Sequence, residues 1–137
     1  MEFRCLEKTD YDKGYLSLLE QLAPVGDITK QNFENSFDRM NTNVFVLECD
    51  DKIIVSGTLL IEHKFIHGLS HVGHIEDIVV DNNHRGKKLG KKIIEHLVEV
   101  AHTSGCYKVI LNCSSDVKQF YKKMGFNEKN IEMSKYF

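Results

Sequence analysis

The spacing of apolar residues changes along the chain between the two-residue period of a strand and the three-to-four-residue period of a helix. The first third of the chain predicts a short strand over residues 2–7 and then two helices. The first helix is predicted to follow a capping pattern from Thr9 to Asp12, and the second to begin at Thr29, because side-chain oxygens at these places can accept from free N–H groups of a first turn. A proline and a glycine within residues 24–27 separate the two helices.

The middle of the chain predicts a hairpin followed by a longer strand. Apolar runs rich in β-branched residues occupy residues 44–48 and 52–61, and the acidic pair Asp50-Asp51 between them is typical of a tight turn. We therefore expect these two runs to form an antiparallel hairpin. A third run, residues 71–80, predicts the next strand.

The last part of the chain repeats strand and helix. An amphipathic helix is expected to end at Gly105, and its predicted core-facing residues are Ile93, Ile94, Leu97, Val98 and Ala101. Residues 107–113 predict another strand, which should lie parallel to the one before the helix because a right-handed helical crossover joins them. A short helix over residues 117–124 and a last strand over residues 131–136 complete an α/β pattern.

The composition is that of one folded domain. The chain has 137 residues, 42% of them apolar and only one a proline, so we predict a single domain over residues 1–137. The amino-terminal residues carry no apolar signal core and no apolar run approaches the ~18 residues that span a bilayer, so we expect a cytoplasmic protein without membrane contact. The four cysteines have no CxxC spacing and lie mostly in apolar runs, which favours buried, reduced thiols.

The window 85–92 places a basic, glycine-bearing loop between a predicted strand and a predicted helix. It holds five of the 18 Lys and Arg residues and no acidic residue. Free N–H groups and the positive end of the helix dipole make such a loop an anion site. The pattern is neither GxxxxGK with Ser or Thr nor GxGxxG. It also lacks the aromatic residues that accompany nucleic-acid binding, so we expect a compact polyphosphate ligand and no nucleic acid.

Residues 85–90 resemble the acyl-CoA pyrophosphate loop of the GNAT acetyltransferase superfamily, in which Gln or Arg is followed by x-x-Gly-x and then Gly or Ala. Arg85 and Gly90 stand at the first and last positions of this pattern, and Lys88 replaces its middle glycine. A residue with a Cβ atom fits there if its backbone is right-handed, so we expect Lys88 to adopt that conformation.

Further segments resemble glucosamine 6-phosphate N-acetyltransferases, namely residues 74–80, 105–111 and 120–126, together with 64–67 and 21–33. The resemblance covers nearly the whole chain. It implies the GNAT fold, an α/β domain with a mixed, mostly antiparallel central sheet, splayed parallel strands four and five, and about four flanking helices. It also implies acetyl transfer from acetyl-CoA to the amine of D-glucosamine 6-phosphate, giving N-acetyl-D-glucosamine 6-phosphate and CoA, in UDP-N-acetylglucosamine biosynthesis.

The same resemblance assigns acetyl-CoA contacts to strand four, the loop and the helix after strand five. The positions are Ile78, Val79, Val80, Arg85, Gly86, Lys87, Lys88, Leu89, Gly90, Lys91, Tyr121, Lys122 and Lys123. Backbone groups of the splayed strand would pair with the pantetheine amides as an added strand does. Tyr121 matches the family's proton donor to the departing thiolate. Asn112 stands where relatives carry Asp or Glu, and because an amide cannot act as a base, we expect its backbone C=O to orient the amine.

The acceptor contacts implied by the resemblance are Lys64, Phe65, Ile66, His67, Glu76, Asp77, Tyr107 and Lys108. Lys108 is suited to the sugar phosphate. Because neighbours on a strand point to opposite faces, we expect Glu76 to face the sugar and Asp77 to face away, so that they form no carboxylate dyad. The family has an arginine contact at the extreme carboxyl terminus, whereas this chain ends with Lys135, Tyr136 and Phe137.

A homodimer is expected, because the family completes its sugar site across a subunit interface and the last predicted strand has too few neighbours within one chain. Four histidines, His63, His67, His71 and His74, have helix-like spacing, but glycines interrupt the segment and we predict no metal site. Two alternatives stay open. One is a GNAT enzyme that acetylates a protein amine, and the other is a catalytically silent acyl-CoA-binding module, which the amide of Asn112 suggests.

Overall fold

Within residues 2–137, which the computed structural model describes, five strands form one sheet in the order in which they follow along the chain. They are β1 Arg4–Cys5, β2 Asn43–Cys49, β3 Lys52–His63, β4 His71–Val80 and β5 Cys106–Ile110. Each strand is antiparallel to its neighbour except β4 and β5, which run parallel. The predicted hairpin and the predicted parallel pair are both confirmed.

The described chain has three helices that pack against the sheet and two short helical segments. The three helices are α1 Tyr15–Glu20, α2 Lys30–Arg39 and α4 Leu89–Thr103, and the short segments are the single turn α3 Ile66–Leu69 and α5 Lys118–Lys122, with 3₁₀ turns at Lys8–Lys13, Asn82–His84 and Ser115–Val117. In this part of the chain no helix is both long enough and apolar enough to cross a membrane.

Each face of the sheet has its own apolar core. Helix α4 covers one face, where its buried residues Ile93 and Leu97 pack with Val55 and Leu59 of β3. Helices α1 and α2 cover the other face through a set that comprises Tyr15, Leu18, Phe33, Val44, Val46, Ile53 and Val79. The alternation of β3 therefore sends its apolar side chains into two cores, as expected for a sheet between helical layers.

Two predicted helix starts had different outcomes. Thr29 is the cap of α2, because its Oγ1 accepts from the Asn32 N–H at 3.1 Å. The predicted cap from Thr9 to Asp12 is wrong. Asp10 accepts from the Glu7 N–H at 2.8 Å, and Arg4 of β1 holds the same carboxylate at 2.8 and 2.9 Å. Arg4 also donates to Glu48 of β2 at 2.6 Å, so a cation fixed by the sheet selects which acid caps the turn.

The predicted last strand is also wrong. Residues 126–137 form no helix or strand in the described chain. The apolar members of this segment are almost fully exposed, with relative exposures of 86% for Ile131, 88% for Met133 and 92% for Tyr136. A strand requires a neighbouring edge for its N–H and C=O groups, and this segment reaches none within one chain.

Strands β4 and β5 stay together over only part of their length. Register pairs run from His71 with Cys106 to His74 with Ile110, and beyond them the two strands are unpaired in the described chain. On the other side of β4, two residues, Asp77 and Ile78, lie opposite the single Gly57 of β3, which is a β-bulge. The splayed pair predicted for strands four and five is confirmed, and it opens a cleft between their carboxyl-terminal ends.

Candidate active site

A cavity of about 210 Å³ lies where β4 and β5 diverge. Its lining residues are Leu22, Ile75, Glu76, Asp77, Ile78, Leu111, Asn112 and Tyr121. Clefts at the carboxyl ends of diverging parallel strands are common ligand sites, because backbone groups there have no strand partner. Five of the residues that the sequence predicted for catalysis or binding thus come together here, with three that sequence analysis did not identify as site residues, Leu22, Ile75 and Leu111.

Glu76 and Asp77 both line this cavity, and both are exposed. The prediction that they point to opposite faces is wrong for a physical reason. Asp77 has a φ of 51° and occupies the bulge, so the regular alternation of the strand is interrupted at this residue. Two adjacent carboxylates consequently flank the same cleft.

Tyr121 lies on α5 and is half-buried, with its ring edge-on to Phe120 at 5.1 Å and to Phe126 at 5.9 Å. Burial raises the pKa of its phenol above the ordinary value, and the neighbouring Cys113 thiol raises it further. The side chain is therefore protonated at neutral pH and can donate a proton into the cavity that it lines.

Asn112 lies two residues beyond the end of β5, outside the paired part of the sheet. Its side-chain Nδ2 donates to Glu132 Oε1 at 3.3 Å, so the amide is turned toward the carboxyl-terminal segment. The position of the chain after β5 nevertheless brings Asn112 to the cavity wall opposite Ile78 of β4.

The loop that holds the predicted anion site comprises residues 81–88, which directly follow β4 and lead into α4. Gly86 has a φ of 80°, a left-handed conformation that glycine adopts without strain, and no atom lies within 4 Å of where a Cβ atom would be. Helix α4 begins at Leu89, so the N–H groups of its first turn are free for an anion. No acidic residue lies in that first turn. Arg85, Lys87 and Lys91 are exposed around these donors.

Lys88 departs from expectation. It caps α4 with φ 61° and ψ 22°, which is left-handed, so the prediction of a right-handed lysine is wrong. A residue with a Cβ atom adopts this geometry at a cost of about 1–2 kcal/mol. The geometry itself matches the glycine that the resembling pattern has here.

The other predicted acyl-CoA contacts differ in whether their side chains or only their backbone groups are accessible to a ligand. Val79 and Leu89 are buried, so only their backbone groups can meet a ligand, while Ile78 and Val80 are half-buried. Gly90 lies within the first turn of α4, and a Cβ atom there would be 3.8 Å from Phe120 Cζ. Lys122, at the end of α5, and Lys123, just after it, extend the positive charge from the loop past Tyr121.

The remaining predicted acceptor contacts form a second group away from the cavity. The His67 ring lies 4.6 Å from the Tyr107 ring, and Lys108 Nζ lies 5.6 Å from the same ring. Lys64 is ion-paired with Glu62 at 3.4 Å. Tyr107 is near the start of β5, and five residues of extended chain, roughly 16 Å, separate it from Asn112. The exposed side chains of Phe65 and Ile66 belong to this second group.

The histidines of this region have separate partners. His63 and His71 stack at 4.1 Å, and His74 Nε2 lies 2.9 Å from Glu62 Oε1. Among the residues of the described chain, no three His, Cys, Asp or Glu side chains gather as a metal site. The four cysteines are free thiols, and the prediction that they are buried is wrong, since Cys5 and Cys113 are exposed.

Sequence analysis missed one buried group beside the loop. Asp81, the first residue after β4, is 1% exposed and accepts from Gln21 Nε2 and His84 Nδ1, both at 2.8 Å. These two hydrogen bonds lower the pKa of the Asp81 carboxyl. Its position between an apolar strand and a basic loop was a signal for a structural acid. Its partner Gln21 could not be inferred, because 60 positions separate the two residues.

Comparison with known proteins agrees with this geometry. The family model described as "Acetyltransferase (GNAT) domain" matches residues 40–128. The chain is 43% identical to glucosamine 6-phosphate N-acetyltransferase of Arabidopsis thaliana, covering 99% of this chain and 96% of that protein. It is also 43% identical to glucosamine 6-phosphate N-acetyltransferase 1 of Dictyostelium discoideum, covering 99% and 90%.

Solved structures extend the likeness to three dimensions. The crystal structure of the Arabidopsis thaliana enzyme superposes with a TM-score of 0.95 over 99% of this chain and 97% of that chain. A Trypanosoma brucei acetyltransferase superposes with a TM-score of 0.93 at 36% identity, over 99% of both chains. The chain therefore belongs to the GNAT acetyltransferases and, among them, to the glucosamine 6-phosphate N-acetyltransferase family.

Proposed function

We propose that this protein transfers the acetyl group of acetyl-CoA to the amine of D-glucosamine 6-phosphate, giving N-acetyl-D-glucosamine 6-phosphate and CoA. The observation that carries the proposal is the cleft between β4 and β5, which has a basic anion loop at its edge and Tyr121 in its wall. The full-length identity to enzymes named for this reaction supports the choice of acceptor. In the cell the activity would serve UDP-N-acetylglucosamine synthesis in the cytoplasm.

The residues of the cleft fit a thioester carried on an extended polar chain that ends in a pyrophosphate. Residues 75–80 of β4 have no β5 partner in the described chain, so their backbone groups can bind the amides of such a chain as a neighbouring strand would. The free N–H groups at the start of α4, with Gly86 and the lysines around them, receive the pyrophosphate. The acetyl group then lies at the cavity wall near Tyr121.

Two groups that line the cavity serve the transfer, one as a proton donor and one by orienting the amine. The phenol of Tyr121 donates its proton to the sulfur as the thiolate leaves, since its raised pKa keeps it protonated until that charge develops. The backbone C=O of Asn112 accepts a hydrogen bond from the acceptor amine and aims its lone pair at the carbonyl carbon. As the amide forms, the nitrogen loses one proton, which returns to the Tyr121 phenolate, so that CoA leaves as the thiol and the phenol is restored. No covalent enzyme intermediate is required.

Recognition of the acceptor combines two groups of residues. Glu76 and Asp77 present carboxylates in the cavity and can bind sugar hydroxyls. Lys108 and Lys64 supply positive charge for the phosphate, but they lie with Tyr107 and His67 in the second group, away from the cavity. A single chain thus divides the predicted acceptor contacts between two places.

In a homodimer, the two groups of acceptor contacts can come together across the subunit interface. The segment 131–137 carries four exposed apolar side chains, and the turn α3 exposes Phe65 at 93%. The outer edge of β5 has no strand partner within residues 2–137. In the proposed dimer, the carboxyl-terminal segment of one chain pairs with the apolar surface and open strand edge of the other, so that residues from the partner complete the acceptor site.

The proposal is tested by measuring thiol release from acetyl-CoA with a panel of acceptors. The panel comprises glucosamine 6-phosphate, glucosamine, galactosamine 6-phosphate and a lysine-containing peptide. We expect turnover with glucosamine 6-phosphate, and at least about 100-fold lower kcat/KM for unphosphorylated glucosamine, because a lost charged contact at a polar site is worth about 3 kcal/mol.

The other outcomes are equally informative. Turnover with the peptide alone would establish a protein-amine acetyltransferase in place of the sugar enzyme. Binding of CoA without thiol release from any acceptor would establish an acyl-CoA-binding module without catalysis. Thermal stabilisation by CoA, measured in the same buffer, confirms that the protein used is folded and able to bind the nucleotide.

A further inference from the structure

The buried Asp81 joins three parts of the chain at the entrance of the anion loop. Its Oδ1 accepts from Gln21 Nε2, and its Oδ2 accepts from His84 Nδ1 within the loop. Its own N–H donates to the Ile54 C=O at 2.8 Å, which fixes the residue to β3. Lys52 Nζ lies 3.8 Å from Oδ1. Asp81 is thus held in place by β3 of the hairpin, by Gln21 at the end of α1 and by His84 of the loop.

Gln21 completes this arrangement by using both ends of its amide. Its Nε2 donates to the Asp81 carboxylate, and its Oε1 accepts from the Asn82 N–H at 2.9 Å. Two consecutive loop residues are therefore held by one side chain in a fixed geometry. Gln21 directly follows α1, and its neighbour Leu22 lines the cavity between β4 and β5. The clamp links the start of the loop to the wall of the acceptor cavity.

We propose that Gln21 is a positioning residue for the CoA pyrophosphate: its amide clamps Asp81 and Asn82 and thereby fixes the loop at 82–88 in the shape that aims the N–H groups of α4 at the ligand. The inference rests on the CoA-binding part of the proposed function and on nothing about the acceptor. It adds to the reaction a residue that touches neither substrate.

Because Gln21 is exposed, its replacement can test a role in positioning the loop without removing an apolar core contact. Gln21 is exposed and belongs to neither apolar core, so its truncation leaves both cores intact. Its side-chain hydrogen bonds are made to the loop entrance alone among the described residues. A loss of these two bonds frees the loop at the Asn82 N–H while Asp81 keeps His84 and the Ile54 contact.

The first test compares two glutamines. CoA is titrated calorimetrically into the wild-type protein, Gln21→Ala and Gln31→Ala, where Gln31 bonds only to Asn35 on α2 and is the matched control. We expect the Kd for CoA to rise about tenfold in Gln21→Ala and less than twofold in Gln31→Ala, with the two variants melting within about 2 °C of each other. At saturating acetyl-CoA, kcat of Gln21→Ala should stay within about twofold of wild type.

The second test uses a variant that can be restored by pH. Gln21→Glu has the same shape, but its carboxylate repels Asp81 and cannot donate to it until a proton is bound. We expect CoA to bind Gln21→Glu more weakly than Gln21→Ala at pH 7.5 and to approach wild-type affinity near about pH 5, where the glutamic acid O–H donates to Asp81. His84 and Lys52 also face Asp81, and the ratio to wild type at each pH removes their contribution because both proteins contain them.

The results of these tests distinguish a failure of the Gln21 proposal from a failure of the proposed acetyltransferase function. Equal CoA affinity in wild type and Gln21→Ala overturns the positioning role and leaves the acetyltransferase proposal untouched. A Gln21→Glu defect that does not change with pH relative to wild type also overturns it, since a merely disturbed fold has no such titration. Absence of CoA binding by the wild-type protein itself overturns both.

Discussion

Tyr121 is the side chain on which the proposed chemistry depends most directly. It lines the cavity, is half-buried between Phe120 and Phe126, and has a pKa raised by burial. Asn112, which lines the same cavity, contributes through its backbone in the proposed mechanism, because its side-chain amide donates to Glu132. The two residues should therefore respond differently to substitution.

Replacing Tyr121 with Phe removes a proton donor that acts mainly in the transition state, so we expect kcat to fall by on the order of 100-fold with KM little changed. Asn112→Ala keeps the backbone C=O and should leave kcat within about tenfold, or roughly 1.4 kcal/mol in barrier. Steady-state kinetics of the two variants checks this ranking. If kcat fell steeply in Asn112→Ala and stayed near the wild-type value in Tyr121→Phe, the assignment of the proton donor and of the hydrogen-bond acceptor would be wrong.

Asp10 is the second residue with a measurable consequence. Burial alone would raise its pKa, but hydrogen bonds from Arg4 and the Glu7 N–H outweigh burial, and the pKa of the Asp10 carboxyl lies below its usual range. A lowered native pKa means that its stabilising contribution is complete above the unfolded value of about 3.9 and is lost as the pH falls through the native value.

Asp10→Asn should accordingly lower the free energy of unfolding by about 1–3 kcal/mol at pH 7, and the difference from wild type should shrink below about pH 4. Asp38→Asn is the control, because Asp38 forms an exposed pair with Lys8 and should cost less than about 0.5 kcal/mol. Urea unfolding at several pH values measures both. A difference that stays constant down to pH 3 would show that Asp10 acts through packing alone.

At the level of elements, the start of α4 combines an anion site with backbone strain. Lys88 is left-handed, whereas Gly86 reaches a similar φ without a Cβ atom. The lysine thus brings positive charge to the site at the expense of conformational energy. Charge and strain can be separated by two substitutions at this one position.

Lys88→Gly and Lys88→Ala both remove the charge, and only glycine removes the strain. We expect both variants to bind CoA more weakly by about 0.5–1 kcal/mol, with a smaller loss at high salt because exposed charges are screened. Thermal unfolding should place Lys88→Gly about 1 kcal/mol above Lys88→Ala in stability. Equal stability of the two variants would contradict the left-handed geometry.

At the scale of the whole molecule, the exposed apolar carboxyl terminus is the feature that one chain leaves without a partner. Ile131 and Met133 are 86% and 88% exposed, in a segment whose alternation predicts a strand. Exposed apolar segments of this kind are characteristic of subunit interfaces. Dimerisation would give the segment both an apolar surface and an open strand edge.

We expect light scattering to give a dimer at micromolar concentration, and the double variant Ile131→Asp with Met133→Asp to give a monomer with acetyl transfer reduced at least tenfold. Met40→Asp is the control, because Met40 is 51% exposed at the end of α2, in another part of the fold, and should leave the dimer intact. A wild-type monomer in an active preparation would refute the dimer.

The sequence by itself determined the features that depend on neighbouring residues. Apolar periodicity located the hairpin, the parallel pair and α4, since each period is a property of one segment. The basic loop was recognised from a short motif, because an anion site at a helix start is built from consecutive residues, whereas the role of Tyr121 was implied by the family resemblance and stays a prediction. The capping of α2 by Thr29 is local for the same reason.

Only the tertiary structure decided the features that depend on residues far apart in the chain. Arg4, which also binds Glu48 across 44 positions, selected Asp10 as the capping acid, and Gln21 reached across 60 positions to Asp81. The bulge at Asp77 lies opposite Gly57 of β3, and Lys88 adopts a left-handed conformation that its residue type does not predict. Local conformational preferences are worth roughly 1–2 kcal/mol, so a single long-range contact can override them. The local sequence pattern does not show which contact will do so.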